Sequence, residues 1–190
     1  MATTQPYFIN GAAGREFQGG AGLPLISQSL DSVRTYQFEV HFKPPGGLGL
    51  NEQDLILAAK QVQAVGMSLE DIEVHRVNDK VFYPGKVSQE EMVVTFDNIY
   101  NKKTATELWS WFKSIYNPMN GQYNESGARS WKSDSATILQ LDAQGQPLME
   151  TKVYGVYPKV WKTAEFNYGT NEFHTIEVTF RYDFMESVNS

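Results

Sequence analysis

The chain has 190 residues, no cysteine, and a formal net charge of −6. This length predicts one large domain, and the missing cysteines exclude a disulfide framework and thiolate metal sites. The acidic balance, together with the lack of a basic stripe, argues against a protein that holds nucleic acid by its phosphates.

The first 35 residues are rich in Gly, Ala, Ser and Gln, and they predict an irregular N-terminal arm ahead of a single domain over 36–190. The first clear strand is YQFEVHFK at 36–43. Its aromatic and aliphatic side chains alternate with polar ones that include Glu39 and His41.

The next segments give weaker signals. Residues 54–66, DLILAAKQVQAVG, are compatible with a helix by propensity and with a strand by context. Residues 67–89 show little periodicity and are predicted to be an unusually long connection. Such loops usually carry a function or cover a partner. The alternating run EEMVVTFDN predicts a further strand at 90–98.

One convincing helix is predicted from TATELWSWFKSIYNP, which begins at Thr104. Its apolar residues recur at the i, i+3, i+4, i+7 spacing of an amphipathic helix, and they are Leu108, Trp111, Phe112 and Ile115. Of these, Leu108, Phe112 and Ile115 are expected to pack on the core. The threonine at the start and the glutamate three residues later fit a capping box.

The last third of the chain predicts a hairpin around DAQGQP and a final strand, EVTFRYDF, at 177–184. In that strand the apolar residues, which run from Val178 to Phe184, alternate with Glu177, Arg181 and Asp183. Roughly seven or eight strands and one helix predict a mainly β protein. Its two antiparallel sheets would pack as a sandwich or barrel with a flanking helix.

No catalytic or metal site is predicted. His41, His75 and His174 lack the spacing of metal ligands, and acidic residues adjacent in a strand point to opposite faces. We therefore expect no enzymatic activity, no cofactor and no metal. We also expect no signal peptide and no membrane-spanning segment, because a basic start and a long apolar run are both missing.

The C-terminal run VYGVYPKVWKTAEFNYGTNEFHTIEVTFRYDF resembles the end of a contractile-phage tail tube protein. The matching features are a Gly-Val-Tyr-Pro corner at 155–158, a turn over 167–172 and a final strand that begins at 176–179. The order of the predicted elements over about 36–184 is also similar to that of the family.

The resemblance implies a tail-tube fold in which six copies form a ring and one sheet of each copy joins a β-barrel around a lumen. Rings would stack into a tube inside a contractile sheath, and the tube would conduct the phage genome without binding it specifically. The implied partners are further copies of the chain, the tail sheath protein, and the baseplate and tail terminator proteins. The implied location is the virion tail, assembled in the host cytoplasm.

Two groups of side chains become candidates under this resemblance. Polar faces of the alternating strands are expected to line the lumen, since an acidic lining does not hold a polyanion. The long connection at 67–89 is expected to reach the next ring, and the resemblance favours a strand over a helix at 55–65. The lumen candidates are Glu39, His41, Glu177, Arg181 and Asp183, and the ring-stacking candidates are Ile72, Val74, Arg76, Phe82 and Tyr83.

Two alternatives stay open. The first is a close relative of the main tube protein, either a baseplate tube initiator or terminator, or the tube of a phage-like contractile injection system. The second, from another class, is a monomeric β-sandwich that binds a glycan through exposed aromatic residues. Formation of rings would fit both the main tube subunit and the first alternative, and a homopolymer that grows indefinitely would favour the main tube subunit. A stable monomer that titrates with a sugar would favour the second alternative.

Overall fold

The computed structural model describes residues 33–63, 65–169 and 171–189, in which antiparallel strands dominate. The chain divides into the units Met1–Thr35 and Tyr36–Ser190, and the second unit is described below. The predicted N-terminal arm lies almost wholly outside the described residues. Neither of the helices described here is long and apolar enough to cross a membrane.

The described elements confirm a mainly β fold with a helical flank. The α-helices are α1 (Glu52–Ala58) and α2 (Thr104–Ile115). The strands are β1 (Phe38–Phe42), β2 (Ala59–Val62), β3 (Met67–His75), β4 (Lys80–Gln89), β5 (Met92–Asp97), β6 (Tyr116–Asn117), β7 (Gln122–Tyr123), β8 (Ser133–Leu141), β9 (Pro147–Thr163), β10 (Thr175–Arg181) and β11 (Phe184–Asn189).

Strand β9 is 17 residues long and belongs to two antiparallel sheets. Its first half pairs with β8 on one edge and with β11 on the other, and its second half pairs with β10. Sheet I therefore has the strand order β1-β8-β9-β11, and sheet II has the order β9-β10-β5-β2. Strands β3 and β4 form a separate hairpin.

The core lies between the two sheets and under α2. Its centre is a cluster of four fully buried aromatic rings from β1, β5, α2 and β10, whose neighbouring centroids lie 5.1–6.5 Å apart. These rings are Phe42, Phe96, Trp111 and Phe180. Alternation along β1, β5 and β10 brings one apolar face of each strand into this core, as the sequence pattern predicts.

Gly155 lies where β9 passes from its pairing in sheet I to its pairing in sheet II, a point that we call the corner. Gly155 has a φ of 68°, a conformation that L side chains rarely adopt. A Cβ atom at this position would lie only 2.1 Å from the Asp183 carboxylate. The Asp183 N–H donates a hydrogen bond of 2.8 Å to the Tyr154 carbonyl, which fixes the facing strand at the same point.

The predicted last strand is divided at this corner into β10 and β11. Tyr182 and Met185 both turn towards the core, so an extra residue lies between them and the alternation shifts by one. The prediction that Phe184 faces the core is therefore wrong. Its ring is 55% exposed and stacks on Tyr154 at 4.7 Å.

The segment expected as a strand at 55–65 begins as helix α1. The Asn51 side chain accepts a hydrogen bond of 3.2 Å from the Gln53 N–H at the helix start, and Leu55 and Ala58 are buried. Only Ala59–Val62 pairs with β5 as a strand. Local helix propensity therefore prevails in the first half of this segment, and the expectation of a strand there was wrong.

Helix α2 does not carry the predicted capping box. Lys103 is the N-cap residue and makes no side-chain cap, and the Thr104 hydroxyl is buried without a partner among the described residues. Glu107 instead accepts a hydrogen bond of 3.2 Å from the Asn51 N–H. The glutamate therefore joins α2 to the start of α1.

The predicted long connection at 67–89 is a regular hairpin of β3 and β4 and not an irregular loop. Both of its faces mix apolar and charged side chains, so the sequence does not show the alternation of apolar and polar residues that is typical of a strand with one buried face. A bulge breaks the pairing after Leu69, where a Cβ at Gly85 would lie 2.8 Å from the Glu70 carbonyl oxygen.

Candidate assembly surfaces

The outer face of sheet I is acidic. Two rows of side chains cross it, one joining His41 to Lys152 and Glu186, the other joining Glu39 to Glu150. His41 Nε2 lies 3.0 Å from the Glu39 carboxylate, and Lys152 Nζ lies 2.9 Å from the Glu150 carboxylate. The hydrogen bond to Glu150 raises the pKa of Lys152. One lysine therefore stands among three carboxylates.

The outer face of sheet II has the opposite balance. Arg181 Nη2 lies 2.9 Å from the Glu91 carboxylate, and Lys159 bonds the same oxygen. Lys162 Nζ lies 3.4 Å from the Glu177 carboxylate. The hydrogen bond from Lys159 lowers the pKa of Glu91, with Arg181 adding to the effect. With the Lys60–Asp97 pair of the same sheet, 3.4 Å apart, four bases here face three acids.

The five lumen candidates are thus separated by the fold. Glu39 and His41 lie on the outer face of sheet I, and Glu177 and Arg181 lie on the outer face of sheet II. Asp183 lies at the corner between the sheets, where it forms an ion pair of 2.7 Å with Lys132. A lumen lined by one sheet can therefore contain either Glu39 and His41 or Glu177 and Arg181, but not both pairs.

Sheet I ends in an unpaired strand on both sides within the described part of the chain. Strand β1 pairs only with β8, and β11 pairs only with β9. An open edge presents unpaired N–H and C=O groups to any strand that can reach them.

The β3–β4 hairpin stands away from the core, and every residue of β3 is exposed. Ile72 pairs with Tyr83, and Val74 with Val81, on one face, while Phe82 lies on the other beside Glu73. Isolated two-stranded hairpins are marginally stable in water, so this one requires a covering surface. The exposed fractions are 53% for Ile72, 41% for Val74, 60% for Phe82 and 48% for Tyr83.

Arg76 occupies the turn of this hairpin. Its N–H donates a hydrogen bond of 2.8 Å to the Asp79 carbonyl. Within the residues that the structure describes, its guanidinium makes no ion pair. The ring-stacking candidates therefore lie together on one projecting element.

A second apolar surface was not anticipated from the sequence. We call it the aromatic end, and it consists of four almost fully exposed rings on the loops that follow β5 and β9. Those rings are Tyr100, Phe166, Tyr168 and Phe173. Their only sequence signal is a density of aromatic residues in loops rich in Asn and Gly, where a core strand is not expected.

The helix candidates differ in depth. Leu108 is buried, whereas Phe112 and Ile115 are only half-buried at the rim of the core. The fully buried aromatic residue of α2 is Trp111, whose indole N–H donates a hydrogen bond of 2.7 Å to the Trp131 carbonyl.

The described histidines contact single polar neighbours, and the buried Nε2 of His174 has no hydrogen-bond partner among the described residues. His75 Nε2 lies 3.7 Å from Glu73, and His174 Nδ1 lies 3.3 Å from the Asn98 amide and stacks on Phe166. Within residues 33–63, 65–169 and 171–189, no group of His, Asp and Glu side chains has an arrangement suited to a metal ion.

Comparison with protein families identifies the family of the chain. The family model described as "T4-like virus tail tube protein gp19" matches residues 34–186. The chain belongs to this tail tube protein family. It is therefore a structural subunit of a tail tube, and a monomeric glycan-binding role is not favoured. Comparison with curated protein sequences gives no match.

Solved structures of contractile systems share the tail tube fold. A chain of the anti-feeding prophage baseplate, 6-fold symmetrised, matches with a TM-score of 0.65 and 12% identity over 84% of this chain and 97% of that chain. A chain of the PVC extracellular contractile injection system, from its sheath-tube complex in the extended state, matches with a TM-score of 0.65 and 20% identity over 84% of this chain and 93% of that chain. A chain of the anti-feeding prophage tube terminating cap matches with a TM-score of 0.63 and 15% identity over 84% of this chain and 93% of that chain.

Proposed function

We propose that copies of this chain form rings through the two open edges of sheet I. Strands β1 and β11 have five and six residues. Sheet I alternates in direction from β1 to β11, so β11 of one copy would meet β1 of the next copy in antiparallel sense. Repeating this head-to-tail contact removes both edges and closes a barrel. Six copies are favoured by the 6-fold symmetry of the matched baseplate.

The acidic face of sheet I would then line the lumen. The other face of this sheet packs on the core, so only the face with Glu39 and His41 is available to a central channel. Phage DNA would pass along this wall without being held, because carboxylates repel phosphates. Glu177 and Arg181 would lie on the outside of the tube, and Asp183 at the junction of the two sheets.

The β3–β4 hairpin would join one ring to the next. Its exposed apolar side chains, with Arg76 at the tip, supply a surface that a neighbouring ring can cover. We assign residues 36–190 to this tube domain and residues 1–35 to an N-terminal arm.

The proposed partners are the tail sheath, baseplate and tail terminator proteins, and the proposed location is the virion tail, assembled in the host cytoplasm. The matches to a sheath-tube complex, a baseplate and a cap support this set. The matched baseplate and cap also support a second candidate, a tube initiator or terminator, and the PVC match supports the tube of a contractile injection system. Long homopolymeric tubes from the pure protein would favour the main tube subunit.

One substitution tests the lateral contact. The Tyr154 carbonyl accepts a hydrogen bond from the Asp183 N–H, so Tyr154 and every second residue before it in β9 direct their backbone groups towards β11. The β11 residues opposite them bond β9. The N–H groups of the β11 residues in between, including Ser187, therefore point to the open edge. Ser187→Pro removes one such donor without breaking the β9 ladder. We expect a folded monomer by circular dichroism and no rings in negative-stain electron microscopy.

Ser187→Ala is the matched control, since it keeps the backbone N–H and should assemble like the parent. Normal rings from folded Ser187→Pro protein would show that this edge is not the lateral contact. A parent protein that stays monomeric at high concentration would overturn the tube-subunit proposal itself.

A further inference from the structure

We propose that the aromatic end binds the β3–β4 hairpin of a copy in the neighbouring ring. The inference deepens the proposed function and rests on it, because it names the surface on which the stacking hairpin docks. The occupant is a second copy of this chain.

The hairpin and the aromatic end project from opposite ends of strand β5. The hairpin returns to the sheet at Gln89, just before β5 begins at Met92. The aromatic end begins beyond Asp97, and the Asn98 N–H donates a hydrogen bond of 3.0 Å to the His174 carbonyl. A strand of this length separates the two surfaces by about 20 Å. They therefore lie at opposite ends of sheet II.

The aromatic end has the composition of a binding surface. Phe166, Tyr168 and Phe173 are at least 81% exposed, and Tyr100 on the adjacent loop is 99% exposed. Aromatic rings left in water in one patch mark interaction sites, and they dominate the binding energy of many interfaces.

The loops of this surface are held together rather than free. The Phe166 ring stacks on the His174 imidazole at 4.5 Å, and the Asn98 side chain lies 3.3 Å from the same imidazole. The loop after β9 is thereby fixed to the loop after β5, so the two loops that carry the exposed rings meet at this end of sheet II. A surface that is ordered before binding loses less conformational entropy when a partner arrives.

The hairpin matches the aromatic end in polarity, and its turn carries one cation, Arg76, beside one anion, Asp79. It exposes apolar side chains on both faces, including Ile72 and Phe82. Arg76 at its tip has no ion pair in the described chain, and neither have Glu165 and Glu172 on the aromatic end. Opposite charges placed on two apolar surfaces fix the register between partners.

A contact between two different surfaces at opposite ends of a molecule can be repeated from copy to copy. A copy that binds by its hairpin to one neighbour still presents its aromatic end to another, so the contact generates an open polymer when its rotation does not close a ring. This polymer runs along β5, whereas the edges of sheet I are available for contacts within a ring.

Cysteine cross-linking tests the contact directly, because the chain has no cysteine of its own. Val77, 98% exposed at the hairpin turn, and Tyr168, fully exposed on the aromatic end, are both changed in the double variant Val77→Cys, Tyr168→Cys. Tubes of this variant, verified by electron microscopy under reducing conditions, are treated with a short bismaleimide. We expect a ladder of covalent multimers that extends well beyond one ring on a denaturing gel.

Three control variants limit the interpretation. Val77→Cys alone and Tyr168→Cys alone should give no ladder. The double variant Val77→Cys, Glu177→Cys places its second thiol on sheet II away from both ends, so it should give no ladder either. Tubes without a ladder would overturn this inference and leave the proposed function intact. A ladder that stops at the size of one ring would also overturn it, because the hairpin would then bind within the ring. Failure of the parent to form tubes would overturn the proposed function and the inference together.

Discussion

At the scale of single residues, burial depth decides which aromatic residue of α2 matters most. Trp111 is fully buried among the rings of the core and is anchored by its hydrogen bond to the Trp131 carbonyl. Phe112 is only half-buried, and it stacks on Trp109 at 5.8 Å at the rim of the core. Helical spacing predicted an apolar stripe, but such a stripe is wider than the surface in contact with the core.

Truncation of these two neighbours should therefore give unequal losses. We expect Trp111→Ala to lower the free energy of unfolding by about 3–5 kcal/mol, as large-to-small changes in cores do. Phe112→Ala should lower it by less, because its ring is only half-buried. Urea unfolding of both variants at a concentration that keeps the protein monomeric measures the difference. An equal or larger loss for Phe112→Ala would contradict the described packing of α2.

At the scale of elements, one tyrosine fixes the base of the β3–β4 hairpin to the end of β10. The Tyr182 hydroxyl donates a hydrogen bond of 2.8 Å to the Gly66 carbonyl and accepts one of 3.3 Å from the Gly66 N–H. Burial raises the pKa of Tyr182, and the nearby Glu90 carboxylate raises it further, while the Gly66 N–H opposes the shift. The direction in which the hairpin leaves the sheet thus depends on a neutral phenol.

This arrangement predicts a loss of stability in alkali. In the unfolded chain the Tyr182 phenol ionises at a pH of about 10, whereas the folded protein retains the proton to higher pH. The folded state then binds more protons, so its contribution is complete below about pH 10 and decreases as the pH rises above it. Tyr182→Phe should flatten this decrease in unfolding curves recorded from pH 8 to pH 11. An unchanged slope would show that the phenol is not responsible.

The same scale shows where sequence patterns are sufficient. Strands β1, β5 and β10 were predicted because each has one apolar face, and that face alone specifies the core. The β3–β4 hairpin was missed as a pair of strands because both of its faces are partly apolar. The division of 52–62 into α1 and β2 depends on pairing with β5, which no local pattern reveals.

At the scale of the whole molecule, the net charge of −6 is distributed unevenly. Sheet I presents an acidic outer face, and sheet II presents a slightly basic one. Alternation placed Glu39 and Glu177 on outer faces from the sequence, but it could not assign them to separate sheets. That assignment requires the long-range pairing of β1 with β8 and of β9 with β10.

Reversal of charge on the outer face of sheet I should make the proposed lumen bind polyanions. Tubes of Glu39→Lys, Glu186→Lys protein are expected to retain short double-stranded DNA that a nuclease cannot reach, and rising salt should release it. Co-sedimentation before and after nuclease treatment measures this retention.

The matched control is Glu177→Lys, which adds positive charge to sheet II. DNA that binds this control should remain open to the nuclease, because sheet II faces outwards in the proposed tube. Protection by Glu177→Lys tubes would assign the lumen to sheet II, and no protection by the double variant would contradict its assignment to sheet I.

The continuity of β9 also has a mechanical consequence. Hydrogen bonds of an antiparallel ladder lie across the strands, so a pull along β9 loads all of its bonds to β10 together and does not open them one by one. The covalent chain at Gly155 transmits that load from one sheet to the other. The two sheets of each subunit should therefore yield to a force along β9 as one body, and they should not slide past each other.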